Sequence, residues 1–437
     1  MTTPSHPHDG PASGAVGRAA ARASQTAARA AARLPGPMKG ALRLARRAAD
    51  TALDASAEAR AASDLRPQPD DRFPVVVHFA GDGDSAYQLT QWLWPLEQLD
   101  QRLPVVILCR SARTAQQIAR NTHLPVRFGR RLADLDAVLG DDAVRCVLYV
   151  NQSPLNFHAL RHPRPAHVHL SHGESEKSSM VTNQLKAYDR VLTAGQAARD
   201  RILAQLIGFG EDRMIDVGRP QLDAPTSVPQ EWTSHLAGPD ADSSAPTVLW
   251  APTWEGDSPQ MAYGTLPQTG DTIAEALLTA GARVIYRPHP RTGVADPLFR
   301  AADARVRARL EAAGGFIDTT PSVGWQFAEA DACLAEMSSV AFDWLATGKP
   351  LALIRPVDRR ADTIPGGLLD RADAVAADHA AEAVTSLLSA LDSDAAQLGE
   401  VAQHYLGDTE PGDQLARFVS AVGTIVEERE SILSRRE

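Results

Sequence analysis

Two successive series of short apolar segments constrain the fold of this 437-residue chain more than any other feature. The segments are rich in Val, Ile and Leu, and segments of helical length separate several of them. Short buried strands that alternate with helices form parallel sheets covered on both faces. The strand-like segments are residues 73–80, 104–109, 144–150, 166–170, 190–194 and 214–217 in the first series, and 247–251, 282–286, 315–317, 332–334 and 351–354 in the second. The sequence therefore predicts an α/β protein with two doubly wound parallel sheets.

A stretch rich in Pro, Asp, Ser and Gly at residues 229–246 separates the two series and predicts a linker. We therefore predict an N-terminal domain at residues 72–222 and a second domain at residues 247–375, with a ligand-binding cleft between them. Residues 376–437 have helical patterns without strand-like segments, so we expect helices that bridge the two domains.

Residues 1–70 are predicted to be a basic extension that is disordered at residues 1–17 and helix-prone afterwards. Eight basic residues and no acidic residue lie between Arg18 and Arg47. A weak apolar stripe around Met38 and Leu42 accompanies these charges, which is compatible with a helix on an anionic lipid surface. The alternative is a solvated helical tail.

Composition and charge exclude several classes of protein. No apolar segment approaches the roughly 20 residues that span a bilayer, and the N-terminus lacks the apolar core of a signal peptide. The three cysteines, Cys109, Cys146 and Cys333, lie inside strand-like segments, so we expect reduced core residues. The net charge is −10 although residues 18–47 are basic, so the body of the protein is acidic and nucleic acid is not an expected partner. We expect a cytoplasmic protein, peripheral at the inner face of the cell membrane.

Polar segments follow three of the predicted strands. His-Gly at residues 172–173 follows a strand of the first series, and Arg-Pro-His-Pro at 287–290 and Glu-Met-Ser-Ser at 336–339 follow strands of the second. The carboxyl ends of parallel strands form the edge of a sheet at which ligands bind. Histidine, arginine and serine side chains gathered at such an edge indicate a phosphate site. The sequence therefore predicts an enzyme with an anionic, nucleotide-activated substrate.

Two histidines are candidate catalytic residues. His172 suits a general base because the pKa of an imidazole lies near neutral pH, and Gly173 permits a sharp turn that leaves the ring uncovered. A lone histidine at a strand end can also be structural, but Lys177 shortly downstream favours a functional site. Prolines on both sides restrict the backbone of His289. Beside it, Arg287 supplies a fork of donors for phosphate oxygens.

Other residues at strand ends have both structural and functional interpretations. Ser338 or Ser339 begins a helix, and the start of a helix can be capped by a serine and still bind an anion. Thr253 and Trp254 follow a strand that a proline ends, at a place where a hydroxyl and backbone amides suit phosphate or ribose.

Two turns of the first domain are less specific. Arg219 lies in a Gly-Arg-Pro turn and either closes the domain or faces the cleft. Gly-Asp-Gly-Asp at residues 81–84 follows the first strand but lacks the GxGxxG spacing of a dinucleotide site. The sequence there favours a tight strand-to-helix turn.

Taken in order, these segments resemble the CDP-glycerol glycerophosphotransferase family, which comprises polymerases and primases of teichoic acids and related capsules. The resemblance covers roughly residues 165–356 and rests on His-Gly at 172–173, Gly-Arg-Pro at 218–220, Ala-Pro-Thr-Trp at 251–254, Arg-Pro-His-Pro at 287–290, Ser-Ser at 338–339, Phe-Asp at 342–343 and Thr-Gly-Lys-Pro at 347–350. The chain departs from the family pattern where Glu174-Ser175 replaces Thr-Pro, Gln221 replaces arginine and Glu336-Met337 replaces Asp-Tyr.

The resemblance implies a GT-B fold, in which two Rossmann-like domains face each other across a cleft and the second domain binds the nucleotide. It implies no metal at the catalytic centre and no cofactor, because the CDP-alditol is a substrate. The reaction implied is transfer of glycerol phosphate, or another alditol phosphate, from CDP-glycerol or a related donor to a hydroxyl of a polymer or lipid-linked acceptor. CMP is the leaving group.

The residues expected to carry this reaction form three groups. His172 takes the proton from the acceptor hydroxyl, and His289 is the second catalytic residue. The side chains expected at the donor phosphates and nucleotide are Arg287, Ser338, Ser339, Thr253 and Glu336. Further candidates for the cleft are Gly173, Lys177, Arg219 and Trp254.

Two other functions are compatible with the same segments. A GT-B glycosyltransferase that uses a nucleotide sugar shares the architecture but attacks an anomeric carbon instead of phosphorus. A non-catalytic scaffold of a surface-polymer assembly complex would show no turnover with any CDP-alditol.

Overall fold

A computed structural model describes residues 56, 58, 65–171, 173–177, 180–237, 244–320, 323–392 and 398–436. Two sheets lie in this part of the chain, and every pair of neighbouring strands in them is parallel. The first sheet contains β1 (Val75–Phe79), β2 (Val105–Cys109), β3 (Val126–Phe128), β4 (Cys146–Tyr149), β5 (Ala166–His169), β6 (Arg190–Thr193) and β7 (Met214–Asp216). The second contains β8 (Thr247–Ala251), β9 (Arg283–Tyr286), β10 (Phe316–Ile317), β11 (Ala332–Ala335) and β12 (Leu351–Leu353).

Helices connect the strands. Those of the first half are α1 (Tyr87–Thr90), α2 (Leu93–Asp100), α3 (Ala112–Ala119), α4 (Leu132–Leu139), α5 (Phe157–Leu160) and α6 (Gln196–Gln205). The second half contains α7 (Gln230–Leu236), α8 (Leu266–Thr279), α9 (Pro297–Ala312), α10 (Trp325–Glu329), α11 (Ser339–Trp344) and α12 (Leu368–Arg371). Three further helices follow, α13 (Ala380–Ser389), α14 (Gly399–Leu406) and α15 (Asp413–Ser434).

The strand order explains where a ligand site can form. The first sheet has the order β3-β2-β1-β4-β5-β6-β7, and the second has the order β10-β9-β8-β11-β12. In each sheet the strands are first added on one side of the first strand and then on its other side. The strand order therefore reverses between β1 and β4 in the first sheet and between β8 and β11 in the second. Ligands of open α/β sheets bind at the carboxyl ends of strands near such a switch point. The α/β prediction with two doubly wound parallel sheets is therefore confirmed.

Both sheets are buried by apolar side chains. All residues of β1, β2, β4 and β8 are buried, which explains why these strands have continuous apolar sequences. The three cysteines lie in β2, β4 and β11, where they are free and fully buried. The sequence analysis missed β3, because its three residues, Val-Arg-Phe, are too few and too polar to form a recognisable apolar segment.

The predicted linker differs from the structure at its start. Residues 230–236 form α7, which begins directly after Pro229. Trp232 of this helix is 1% exposed and packs edge-on against Phe316, and its Nε1 donates to Glu329 at 2.9 Å. The apolar contacts of Trp232 thus attach this part of the linker to the core of the second sheet. The Pro- and Ser-rich composition of the segment does not indicate such a contact.

The helices after residue 376 pack in different places. α13 covers α8 and the β11–β12 side of the second sheet, whereas α14 contacts both α6 and the turn after α11. The long helix α15 packs on β4 and β5 and buries Phe418 and Val422 in the core of the first sheet. No helix in the described residues is long and apolar enough to cross a membrane. The basic segment at residues 18–47 lies outside the described residues.

Candidate active site

The loop after β5 begins the site on the first sheet. Ser171 has φ = 65°, a left-handed conformation that is strained in a residue with a side chain. Trp92 Nε1 donates to Ser171 O at 2.7 Å, and Ser171 Oγ donates to Gly173 O at 3.1 Å. The sharp turn is therefore made by Ser171 and not, as expected, by Gly173, beside which a Cβ would meet only open space. The candidate base His172 lies outside the described residues.

Lys177, at the end of this loop, reaches the second sheet. Burial lowers the pKa of its ammonium, while Asp257 raises that pKa and Arg291 lowers it further. The same ammonium lowers the pKa of His289. The charges of Lys177 and His289 are therefore coupled, although their loops follow strands of different sheets.

His289 is a neutral hydrogen-bond donor in this setting. Burial and, in decreasing order, the charges of Lys177, Arg291 and Arg287 together lower the pKa of its imidazole to about 4. Its Nδ1 accepts the backbone N–H of Arg291 at 3.1 Å. A neutral imidazole that accepts at Nδ1 carries its hydrogen on Nε2. His289 therefore offers an Nε2–H donor to a ligand and does not act as a proton acceptor at Nδ1.

Trp254 fixes the His289 ring from one side. The indole and imidazole rings are stacked, with centroids 5.7 Å apart and planes 21° from parallel. The guanidinium of Arg291 lies over the same indole at 3.7 Å from the ring centroid, and it forms two hydrogen bonds of 2.6 Å and 3.1 Å with Asp257. Trp254 is thus an aromatic support for two polar groups of the cleft, and the carboxylate of Asp257 lies beside both Arg291 and Lys177.

Arg287 is more constrained than the sequence analysis expected. Its Nη1 donates to the fully buried carboxylate of Asp318 and to Thr320 O and Oγ1 at 3.2 Å and 3.1 Å. These bonds fix the guanidinium on the β10 side of the His289 loop. The expectation that Arg287 supplies a fork of donors for phosphate oxygens stays a prediction: its Nη1 is bonded to Asp318 and Thr320, and its charge lowers the pKa of His289.

Glu336 supports the loops of the site from behind. Its buried carboxylate accepts the N–H of Thr253 at 2.8 Å and the N–H of Thr265 at 2.7 Å, and it also accepts the Thr265 hydroxyl. Burial raises the pKa of Glu336 to about 7 in spite of these bonds. Neither Glu336 nor Thr253, which is also buried, is presented to a ligand as we had expected. Their common role is to join the loop after β8 to the start of α8.

Ser338 and Ser339 stand at the start of α11, as predicted. Ser338 is at the N-cap position in an extended conformation, yet its side chain makes no capping hydrogen bond. Its Oγ is buried and has no hydrogen-bond partner among the described residues. Ser339 is exposed. The structural interpretation, a serine that caps the helix, therefore does not account for Ser338.

Arg219 joins the two halves of the molecule. Its Nε and Nη2 donate to the carboxylate of Asp343 in α11 at 2.9 Å and 3.3 Å, and its backbone N–H donates to Gln414 Oε1 at 2.8 Å. Both charged side chains are 7% exposed. Of the two interpretations left open, the structure favours closure: Arg219 forms a buried ion pair between the turn after β7 and α11.

Two departures from the family pattern lie together. Glu174 and Gln221 both line a cavity of about 50 Å³ beneath the loop after β5. Glu174 forms a buried ion pair with Arg201, and its burial raises its carboxyl pKa although Arg201 and Arg219 oppose this. The amide of Gln221 has no hydrogen-bond partner among the described residues. Two of the three departures therefore lie on the first-sheet side, whereas the third, Glu336-Met337, follows β11 of the second sheet.

The sequence analysis missed Arg291, Asp257 and Glu176. Arg291 directly follows the Arg-Pro-His-Pro segment, so its position was a usable signal, whereas Asp257 lies in a loop without a recognisable pattern. Glu176 occurs within the loop after β5, but its partners are distant in the sequence. No group of three or more His, Cys, Asp or Glu side chains that could hold a metal ion occurs in the described residues.

Comparisons with solved structures give the same fold. The chain is similar to the wall teichoic acid polymerase TagF with 12% identity and a TM-score of 0.52, over 84% of this chain and 92% of that one. A putative UDP-N-acetylglucosamine 2-epimerase from Listeria monocytogenes gives 12% identity and a TM-score of 0.51, over 82% of this chain and 97% of that one. A glycosyltransferase from Rickettsia africae gives 11% identity and a TM-score of 0.50, over 82% and 99%. These likenesses confirm the GT-B fold.

A comparison of sequences identifies the family. No curated protein matches the chain. The family model described as CDP-Glycerol:Poly(glycerophosphate) glycerophosphotransferase matches residues 162–404, which is more than half of the chain and includes every segment of the site described above. The chain therefore belongs to the CDP-glycerol:poly(glycerophosphate) glycerophosphotransferase family and is an enzyme of that type.

Proposed function

We propose that this enzyme transfers glycerol phosphate, or a related alditol phosphate, from a CDP-activated donor to a hydroxyl of a growing teichoic-acid-like or capsular polymer. The observation that carries the proposal is the group formed by His289, Arg291 and Trp254, in which a neutral hydrogen-bond donor and a guanidinium lie on the same indole. The charge of Lys177 also acts on His289 and adds a further cation to this group. Such a set matches the charge of a pyrophosphate.

The donor pyrophosphate would lie between the loops after β5 and β9. Lys177 and Arg291 would neutralise its oxygens, and the Nε2–H of His289 would donate to the oxygen on which charge develops. Ser338 would add its unpartnered hydroxyl from the start of α11. Neutral His289 keeps its donor hydrogen throughout the working pH range because its pKa is far below neutrality.

The acceptor would react on the side of the first sheet. His172 takes the proton of the acceptor hydroxyl, and the oxygen then attacks the distal phosphorus of the donor in line. A bond forms between this oxygen and phosphorus, the bond from phosphorus to the bridging oxygen breaks, and CMP leaves. The residues that would do this are the chain's own, and no cofactor takes part in the proposed step.

We further propose that the acceptor is a polymer or is linked to lipid, and that residues 18–47 hold the enzyme at an anionic membrane surface. The description of the matching family makes CDP-glycerol the first donor to test.

Mass spectrometry of reaction products tests the proposal. The enzyme would be incubated with CDP-glycerol, CDP-ribitol or another CDP-alditol together with a short glycerol-terminated acceptor. We expect an acceptor lengthened by one or more alditol phosphate units and an equal amount of CMP. A wild-type enzyme that gives neither product with any CDP-alditol would favour the scaffold interpretation.

A further inference from the structure

Glu176 connects the loop after β5 to the other half of the molecule. Its side chain is buried, and its Oε1 accepts the backbone N–H of Leu368 at 3.0 Å and the hydroxyl of Tyr405. Leu368 begins α12 and Tyr405 belongs to α14, both of which follow the second sheet in the chain. One carboxylate of the first half is thus held by two elements of the second.

Gly367 makes this close approach possible. A Cβ at this position would lie 2.6 Å and 2.7 Å from the two carboxylate oxygens of Glu176 and 2.8 Å from the backbone oxygen of Ile364, all closer than real Cβ contacts. The φ of Gly367 is −77°, which any residue can adopt. The absence of a side chain at residue 367 therefore leaves space both for Glu176 and for the turn in which the N–H of Gly367 donates to Ile364 O.

Both ends of the connection lie beside groups of the site. Lys177 is the next residue after Glu176, and its charge lowers the pKa of His289. The Tyr405 ring packs against Phe342 of α11 with centroids 5.3 Å apart, and this helix begins at the two serines of the donor side. Glu176 therefore lies where a change in the contact between the two halves would move Lys177.

We propose that Glu176 is a positioning residue, which holds the loop at residues 173–177 on α12 and α14 and thereby fixes the position of Lys177. Loss of the carboxylate leaves the N–H of Leu368 and the hydroxyl of Tyr405 without their acceptor, and the loop without its attachment to the second half. This inference rests on the proposed function in one respect: the kinetic measurement described below uses CDP-glycerol as the substrate.

The first measurement needs no turnover. Histidine-ring NMR would follow the titration of His289 in the wild type, in Glu176→Ala and in Gly367→Ala, which keeps the carboxylate but displaces it. We expect the pKa of His289 to rise in both variants by about half a unit or more, because the ammonium of Lys177 moves away. Glu176→Gln, whose amide oxygen can still accept one hydrogen bond, should shift it less. Gly399→Ala is the matched control, because a Cβ there meets no atom within 4 Å.

The second measurement is a double-mutant cycle on the KM for CDP-glycerol. We expect Glu176→Ala and Lys177→Ala each to raise this KM by roughly tenfold, and the double variant to be no worse than Lys177→Ala alone. The positioning role would be overturned if the KM increases of the two single variants multiplied in the double variant. It would also be overturned if the pKa of His289 were unchanged in folded Glu176→Ala and Gly367→Ala. Absence of wild-type turnover would instead contradict the proposed function and leave the NMR test valid.

Discussion

The charge of Lys177, on the loop after β5 of the first sheet, lowers the pKa of His289, which follows β9 of the second sheet. This relationship joins residues that are more than one hundred positions apart and belong to different sheets. It defines the point of the cleft at which an anionic donor would be held, and the predictions below start from it.

Lys177→Ala should weaken donor binding. The variant removes a positive charge that acts on His289, so we expect the Kd for CDP-glycerol to increase by roughly tenfold or more. Calorimetric titration would measure this. Lys186→Ala removes the same charge from the first half at a distance from the cleft and serves as the control. Equal affinities of the Lys177 and Lys186 variants would contradict the placement of the donor.

His289 should remain neutral over the working pH range. Its pKa of about 4 in the folded protein lies below the ordinary value of 6.5, because burial and three neighbouring cations disfavour the charged ring. The contribution of this group to stability is therefore fully present above pH 6.5 and is lost as the pH falls toward 4. Histidine-ring NMR between pH 4 and pH 8 would measure the titration, and a midpoint near 6.5 would contradict the structure.

His172→Ala should remove turnover and retain donor binding. A general base acts on the acceptor hydroxyl, so we expect kcat to fall by roughly 100-fold or more while the Kd for CDP-glycerol changes little. The control is His123→Ala, which removes a histidine whose side chain is 71% exposed. Activity of the His172 variant close to that of the wild type would show that another group takes the proton.

Glu336→Gln should destabilise the fold. The amide would present a donor to one of the two backbone N–H groups that the carboxylate now accepts, so we expect a loss of roughly 1–3 kcal/mol in the free energy of unfolding. Urea unfolding would measure it, with the exposed Glu311→Gln as control.

The same carboxyl predicts a pH dependence of stability. The pKa of Glu336 is raised from 4.5 to about 7, so its contribution is fully present below pH 4.5 and is lost as the pH rises toward 7. Glu336→Gln should lack this component. A wild type and variant with parallel stability profiles between pH 4.5 and 7 would argue against the raised pKa.

The basic segment at residues 18–47 should bind anionic membranes. Eight positive charges without an acidic residue give an attraction of about 1 kcal/mol for each residue near the surface, weakened by salt. Co-sedimentation with phosphatidylserine vesicles would compare the full chain with a version that begins at Leu65, which retains the Asp71–Arg127 ion pair. Equal sedimentation of both forms would leave the segment as a solvated tail.

The strands and the strand-end motifs could be predicted because each depends on local sequence. Apolar segments of five residues identify buried strands, and the residues that follow them, such as His289, must lie at the ligand-binding edge of the sheet. The ion-pair partners of the site's arginine side chains could not be predicted in this way. Arg287 and Arg219 have the same charge and similar turns around them, but Asp318 and Asp343, which bind them, are 31 and 124 residues away.

The roles of Glu336 and Ser171 illustrate the same limit. A carboxylate at a strand end suggests a ligand contact, yet Glu336 accepts two backbone N–H groups from the loops behind the site. Gly173, which follows β5, suggests that the sharp turn is made by the glycine. Instead, Ser171 has the left-handed conformation, which is stabilised by Trp92 at the start of α2 and by the hydroxyl of Ser171 itself. In both cases the deciding contact comes from another part of the chain.

The most direct test of the account follows the distal phosphorus of the donor. CDP-glycerol labelled at this phosphorus would be incubated with the enzyme and a glycerol-terminated acceptor, and the label would be traced after separation of nucleotide from product. We predict that all transferred label appears in the lengthened acceptor and that the CMP released is unlabelled. Label that remains with the nucleotide while the acceptor is lengthened would mean attack at carbon, and would contradict phosphoryl transfer by this enzyme.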